Sequence, residues 1–284
     1  MPQSRAIQYA DRRGSWMLPD AKSADLLYVS DPETTAVYVY SYRGGELTGM
    51  LTGFSNPQGL CADKAGDVFV TDPGAAKIFE YAHGGTTPMA TLNARNPLAC
   101  SIDNVTGNLA AANYSDPPSI SVYKKATRRV KVYGDQAIGE LYFCGYDGHG
   151  NLYATGYYTG QNDPYALIEL PAGSRRFKSI TLSPSQPLIY PGDVQWDGHY
   201  LVLGGDANAS GLVELSISGW TANIVGTVPL TGGGGFSFWI QGKVLLGTAQ
   251  GDIFFFHYPT GGEAFKSIGG PSSTLYYPVV SLKA

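Results

Sequence analysis

Residues Asn56–Asp72 read NPQGLCADKAGDVFVTD. Pro57 stiffens the approach to a short apolar run, Leu60–Ala62. Asp63-Lys64-Ala65-Gly66-Asp67 is turn chemistry. Val68–Val70 is β-branched and aromatic, and Thr71-Asp72-Pro73-Gly74 stops it. Two strand-like runs flanking a tight polar turn specify an antiparallel hairpin.

The same hairpin returns along the chain. Pro57…Asp63, Pro97…Asp103 and Pro191…Asp197 share one interval, and at the C-terminus Pro278 leads into Val279-Val280-Ser281-Leu282-Lys283-Ala284, with Ala284 where the Asp would fall. Leu26–Asp31, Val37–Tyr40 and Leu47–Thr52 supply three strands at the front but lack a leading one. Aligning Asp31 with Asp72 places Ser23-Ala24-Asp25 on Lys64-Ala65-Gly66, so the chain ends and restarts inside one hairpin turn. The period of roughly 40–50 residues is that of a four-stranded propeller blade. The expected fold is all-β: a six-bladed β-propeller of four-stranded antiparallel blades over Ser23–Ala284. The C-terminal strand completes the N-terminal blade and leaves no free sheet edge at the closure. Met1–Lys22 has no such period and reads as an extension draped over the domain through Trp16 and Leu18. It is polar, without the apolar core of a signal peptide.

Composition agrees. Gly (37), Pro (18) and Tyr (20) are abundant in 284 residues and only 15% are charged, which suits short strands and turns rather than long helices. A net charge of −4 and the lack of a basic stripe argue against nucleic acid as a partner. No apolar run reaches membrane-spanning length. A monomer is expected.

NPQGLCADKAGDVFVTD resembles an NHL-type propeller repeat, of the form P-x-G, three apolar residues, D-x-x-G-x, three apolar residues, T-D. Six degenerate copies cover Ser23–Ala284. The chain also resembles bacterial six-bladed propellers with LLYVSD, YFCGYD and VQWDG motifs, here Leu26–Asp31, Tyr142–Asp147 and Val194–Gly198. The resemblance implies an extracytoplasmic or secreted setting and no particular activity. Fold relatives of the regucalcin, gluconolactonase and paraoxonase kinds hold calcium in the central channel. Regucalcin-like members place a Glu where this chain has Tyr277-Pro278-Val279, so that ligand is missing.

Histidines and cysteines read as structural. His83, His149, His199 and His257 fall in turns on the face opposite the one where propellers usually meet channel ligands, and are expected as surface residues. Relative to the turn Asp, Cys100 and Cys144 share one register and Cys61 the other, which puts the first two on equivalent strand faces. Buried free thiols are the expectation, with Cys100–Cys144 the pairing left open. No G-x-S-x-G elbow occurs, and Gly232–Gly235 precedes a strand rather than a helix, so it is not a phosphate cradle.

The channel mouth carries the candidate site. At the starts of the first strands stand Asn56, Asn96, Glu140, Tyr190 and Tyr277, with Gln58 and Tyr142 nearby. The surrounding rim carries Asp31, Asp72, Asn113, Tyr157 and Asp206 at or beyond the ends of the second strands. Asp and Asn at such ends also serve their own turns. The set predicts a binding module whose aromatic walls and aimed amides receive a small molecule, sugar, peptide or protein, with no cofactor. The alternative is a lactonase-like hydrolase or lyase with calcium held by Asp and Asn side chains.

Overall fold

The computed structural model describes residues 14–115, 117–160, 165–183, 190–205 and 211–283. Their strands form six separate sheets, each built on four antiparallel strands, and together a six-bladed β-propeller. Blade two holds Leu60–Ala62, Val68–Asp72, Lys77–Tyr81 and Pro88–Asn93; blade three holds Pro97–Ile102, Leu109–Asn113, Ser119–Lys124 and Arg128–Tyr133. Blade four holds Ile138–Tyr146, Leu152–Tyr158, Tyr165–Leu170 and Lys178–Ser179. Blade five holds Val194–Trp196, Leu201–Leu203, Gly211–Ser218 and Thr221–Pro229, and blade six Phe238–Gln241, Val244–Ala249, Asp252–His257 and Lys266–Gly269.

Blade one joins both ends of the chain. Pro278–Ser281 pairs antiparallel with Leu26–Asp31, in the register Val29↔Pro278, Tyr28↔Val279, Leu27↔Val280 and Leu26↔Ser281. Ala36–Ser41 and Leu47–Leu51 follow outward, and Trp16–Met17 adds a fifth strand against Leu47–Leu51. Blade five also carries a fifth strand: Thr181–Ser183 runs parallel to Thr221–Pro229. The stretch 177–183 is divided between two blades. It closes blade four with Lys178–Ser179 and then crosses to blade five.

The second strands of blades one, two and three are buried from end to end: every residue of Leu26–Asp31, Val68–Asp72 and Leu109–Asn113. Both faces of each blade are covered by its neighbours, so these strands need a continuous run of core residues, not an alternating one. The repeat's other residues also have structural duties. A Cβ on Gly59 would lie 2.5 Å from the backbone of Leu98 and Ala99, so the glycine permits the close approach of blades two and three. The turn Asp accepts backbone N–H groups: Asp63 from Ala65 and Asp67 (both 2.9 Å), Asp147 from His149 (2.7 Å) and Asn151 (2.9 Å), and Asp197 from His199 and Tyr200 (both 2.6 Å). In the split hairpin of blade one, Asp25 from the other end of the chain accepts the Lys283 N–H at 3.2 Å.

Two expectations are corrected. The cysteines are not all free: Cys61 and Cys100 form a disulfide between the inner strands of blades two and three, and Cys144 is the buried free thiol. Adjacent blades pack face to face. Equivalent faces of successive blades therefore point the same way round the ring, so Cys100 meets the residue of opposite register on blade two, and Cys144 faces blade three in turn. His83 is also not a surface turn residue, unlike the exposed His149, His199 and His257. Its Nε2 lies 2.9 Å from the Ala24 carbonyl oxygen and its Nδ1 2.6 Å from Ser281 Oγ, while Ser281 donates to the Gly66 carbonyl. His83 thus ties blade two to both halves of the closure.

Candidate functional site

The mouth of the channel is built from the starts of the inner strands. Glu140 lies near the start of the inner strand of blade four, Ile138–Tyr146, and each of its carboxylate oxygens accepts a phenol: Tyr114 on Oε1 and Tyr142 on Oε2, both at 2.7 Å. Tyr142 stands edge-to-face with Tyr114 (centroids 5.1 Å apart) and with Tyr157 (5.9 Å). Three part-exposed rings are thereby fixed around one carboxylate. The hydrogen bond to Glu140 raises the Tyr114 phenol above its ordinary range. For Tyr142, burial does so first and the hydrogen-bonded partners add to it. Both phenols stay protonated and hold Glu140 as an acceptor.

The other predicted residues are placed differently. Gln58 donates to Asn56 Oδ1 (2.9 Å) and Asn96 to Ser115 Oγ (3.2 Å), so these amides are partnered locally and part-exposed. Tyr190 is exposed. Tyr277 is buried against Phe143. Asp31, Asp72 and Asn113 have no exposure at all. Asp72 accepts the N–H groups of Ser55 (2.8 Å), Asn56 and Ala75 (both 3.0 Å), and Asp31 those of Glu33 (3.0 Å) and Thr34 (3.1 Å). Asn113 donates to Ser119 and Ser121. Asp206 lies outside the described residues. The ring thus brings Glu140, Tyr142 and Tyr157 together and adds Tyr114, while the strand-end acids organise turns and linkers.

Further down the axis, Phe143 packs against Phe236 (5.3 Å) and Tyr277 (5.4 Å) and plugs the channel. Beyond the plug is a cavity of about 130 Å³ to which all six inner strands contribute; it reaches the opposite face at Asn104 and Gly148. The Asp193 carboxyl lines it. Burial pushes Asp193 up to about 7, against the pull of hydrogen bonds from the Val194 and Phe238 backbone. Its negative charge adds to burial in raising the Cys144 thiol and the Tyr277 phenol. Trp196, Trp239 and Tyr146 also line this space. The sequence reading missed this group. The available signal was an acidic residue, Asp193, at the start of an inner strand where other blades carry apolar or small residues.

Among the described residues, no three His, Cys, Asp or Glu side chains converge as a metal site, and no helix is long and apolar enough to cross a membrane. No family model matches the chain, and no curated protein matches it. Solved structures do. A chain of the nidogen/laminin complex superposes with a TM-score of 0.72 at 16% identity, over 92% of this chain and 99% of that one. A protein of unknown function from Bacteroides caccae gives 0.65 at 12% identity, over 91% and 99%. Hydrazine synthase of Kuenenia stuttgartiensis gives 0.63 at 12% identity, over 86% and 76%. At these identities the likeness establishes the propeller fold alone.

Proposed function

We propose that this protein is a binding module that engages a peptide or protein through the tyrosine-rich mouth of its channel. The observation that carries this reading is the Tyr114–Tyr142–Tyr157 array fixed by Glu140. Tyrosines held in place offer a large contact area at little cost in conformational entropy, and such residues dominate protein interfaces. Asn56, Gln58, Asn96 and Tyr190 supply polar and aromatic contacts around the array, and Asp206 belongs to the same proposed rim. The occurrence of a chain of like fold in a nidogen/laminin complex is consistent with this role. The Cys61–Cys100 disulfide supports an oxidising, extracytoplasmic compartment. The NHL-like ancestry we infer rests on the blade-two motif.

Selection of peptides from a displayed library on the full chain, with a glycan array alongside, tests the reading. Selected peptides should lose about tenfold or more in affinity on Tyr142→Ala or Tyr114→Ala, a cost of roughly 1.4 kcal/mol. Glu140→Gln should weaken them less, since the amide still accepts one phenol. Affinity unaffected by all three substitutions would move the site elsewhere. Nothing in the geometry favours the hydrolase alternative. It would gain ground if calcium raised the melting temperature, since about a hundredfold excess over the dissociation constant adds roughly 2.7 kcal/mol.

A further inference from the structure

The cavity beyond the aromatic plug is unrelated to the mouth array and opens on the other face. We propose that it is a binding site for a small organic ammonium ion, held by the Asp193 carboxylate and walled by Trp196, Trp239 and Tyr146. Its volume of about 130 Å³ matches a small organic molecule, since a cavity of roughly 150 Å³ accommodates benzene. Its charge is one-sided. The lining holds two carboxylates, Asp147 and Asp193, and no Lys, Arg or His. Asp147 is already committed: Oδ1 accepts the N–H groups of His149 and Asn151, and Oδ2 accepts Asn151 Nδ2 at 2.8 Å. Asp193 has backbone donors, Val194 at 2.8 Å among them, but no cationic side chain among the lining residues.

A carboxylate enclosed in protein is costly without a counter-charge. A divalent metal would need several ligands, and among the described residues no three His, Cys, Asp or Glu side chains converge there. An ammonium needs one carboxylate and aromatic surface, and indoles are the best such surface. The walls are also held in position. Gln195 bonds the Ile240 backbone in both directions (3.1 and 2.7 Å), and the Trp239 N–H donates to Gln241 at 3.3 Å. Gly148 keeps the opening clear, since a Cβ there would sit 3.1 Å from the Trp196 indole nitrogen.

The test titrates the full chain with tetramethylammonium chloride at constant ionic strength, by calorimetry and tryptophan fluorescence, with tert-butanol as the neutral analogue. Saturable binding of the cation is expected, with tert-butanol at least about tenfold weaker. Affinity should fall as the pH drops from about 8 to about 5 and Asp193 takes up a proton. Cys144 and Tyr277, which interact electrostatically with Asp193, are both raised by burial and stay neutral over that range. Asp193→Asn should abolish binding. Ala62→Lys, which puts a positive charge on the lining without touching Asp193, should do the same and covers the case in which the first variant folds poorly. Equal binding of tert-butanol, unchanged affinity in both variants, or no saturable binding by the wild type would each overturn the proposal.

Discussion

Single side chains divide sharply between those that build the ring and those left for ligands. His83 is of the first kind, with one ring nitrogen on Ala24 and the other on Ser281. His83→Ala strands buried polar partners and should cost about 1–3 kcal/mol, a fall in Tm of several degrees, whereas His149→Ala, at an exposed position, should stay within about 0.5 kcal/mol of wild type. Equal effects of the two substitutions in thermal melts would show that His83 does not clamp the closure. Asp193 behaves in the opposite sense. Its folded value is pushed up to about 7 from 3.8, so its contribution to stability is complete below about pH 4 and is lost as the pH rises through about 7. Asp193→Asn should therefore flatten the stability profile between about pH 4 and 8 and make the variant the more stable protein at the alkaline end. A wild-type profile that runs parallel to the variant's would refute the burial of that charge. Neither residue's role was legible in the sequence. A turn histidine and an isolated acid look alike until the ring brings distant segments against them.

At the scale of strands and blades, the period, the turn acids and the Pro-to-Asp interval were legible because each is local: a β-turn or a strand end needs only its neighbours in sequence. Facing relations between blades are not local. Alternation along Leu60–Ala62 and Pro97–Ile102 assigns each cysteine a face but does not tell which neighbour's face it meets. That is why Cys61 and Cys100, of opposite register, are the pair that forms. The bond closes a loop of 39 residues, for which chain entropy gives a stabilisation of about 4 kcal/mol. Cys100→Ser, or reduction, should lower stability by up to that amount, while Cys144→Ser should leave the disulfide count unchanged and cost stability through burial of a hydroxyl. Thiol titration of the unfolded, unreduced protein should find one free cysteine; three would show that the bridge does not form. The candidate site divides along the same line. Tyr142, Tyr157 and Glu140 occupy strand positions whose outlook follows from register. Tyr277 has the repeat position of Glu140 but is drawn into the plug by Phe143 from another blade.

The whole molecule depends on the closure of blade one, since that is where a ring of independent sheets becomes a single domain. Val279 and Val280 are buried in the packed interior, and Ser281 is fully buried between His83 and the Gly66 carbonyl. Removing residues 278–284 would expose the edge of Leu26–Asp31 and forfeit the burial of two valines, worth about 1.5–3 kcal/mol each. It would also remove Ser281 from His83 and the Lys283 N–H from Asp25. The expected result is a loss of at least about 3–6 kcal/mol, enough to lower Tm by roughly 6 °C or more for a chain of this size. A newly open edge also favours association of chains through strand pairing. The truncated protein should therefore shift to larger species in size-exclusion chromatography, and a synthetic peptide of residues 278–284 added in trans should partly reverse both changes by refilling the slot. An unchanged melting temperature in the truncated protein would mean that the ring holds without its latch. In that case the clamp of His83, Ser281 and Gly66 would be a consequence of the ring's geometry and not its cause.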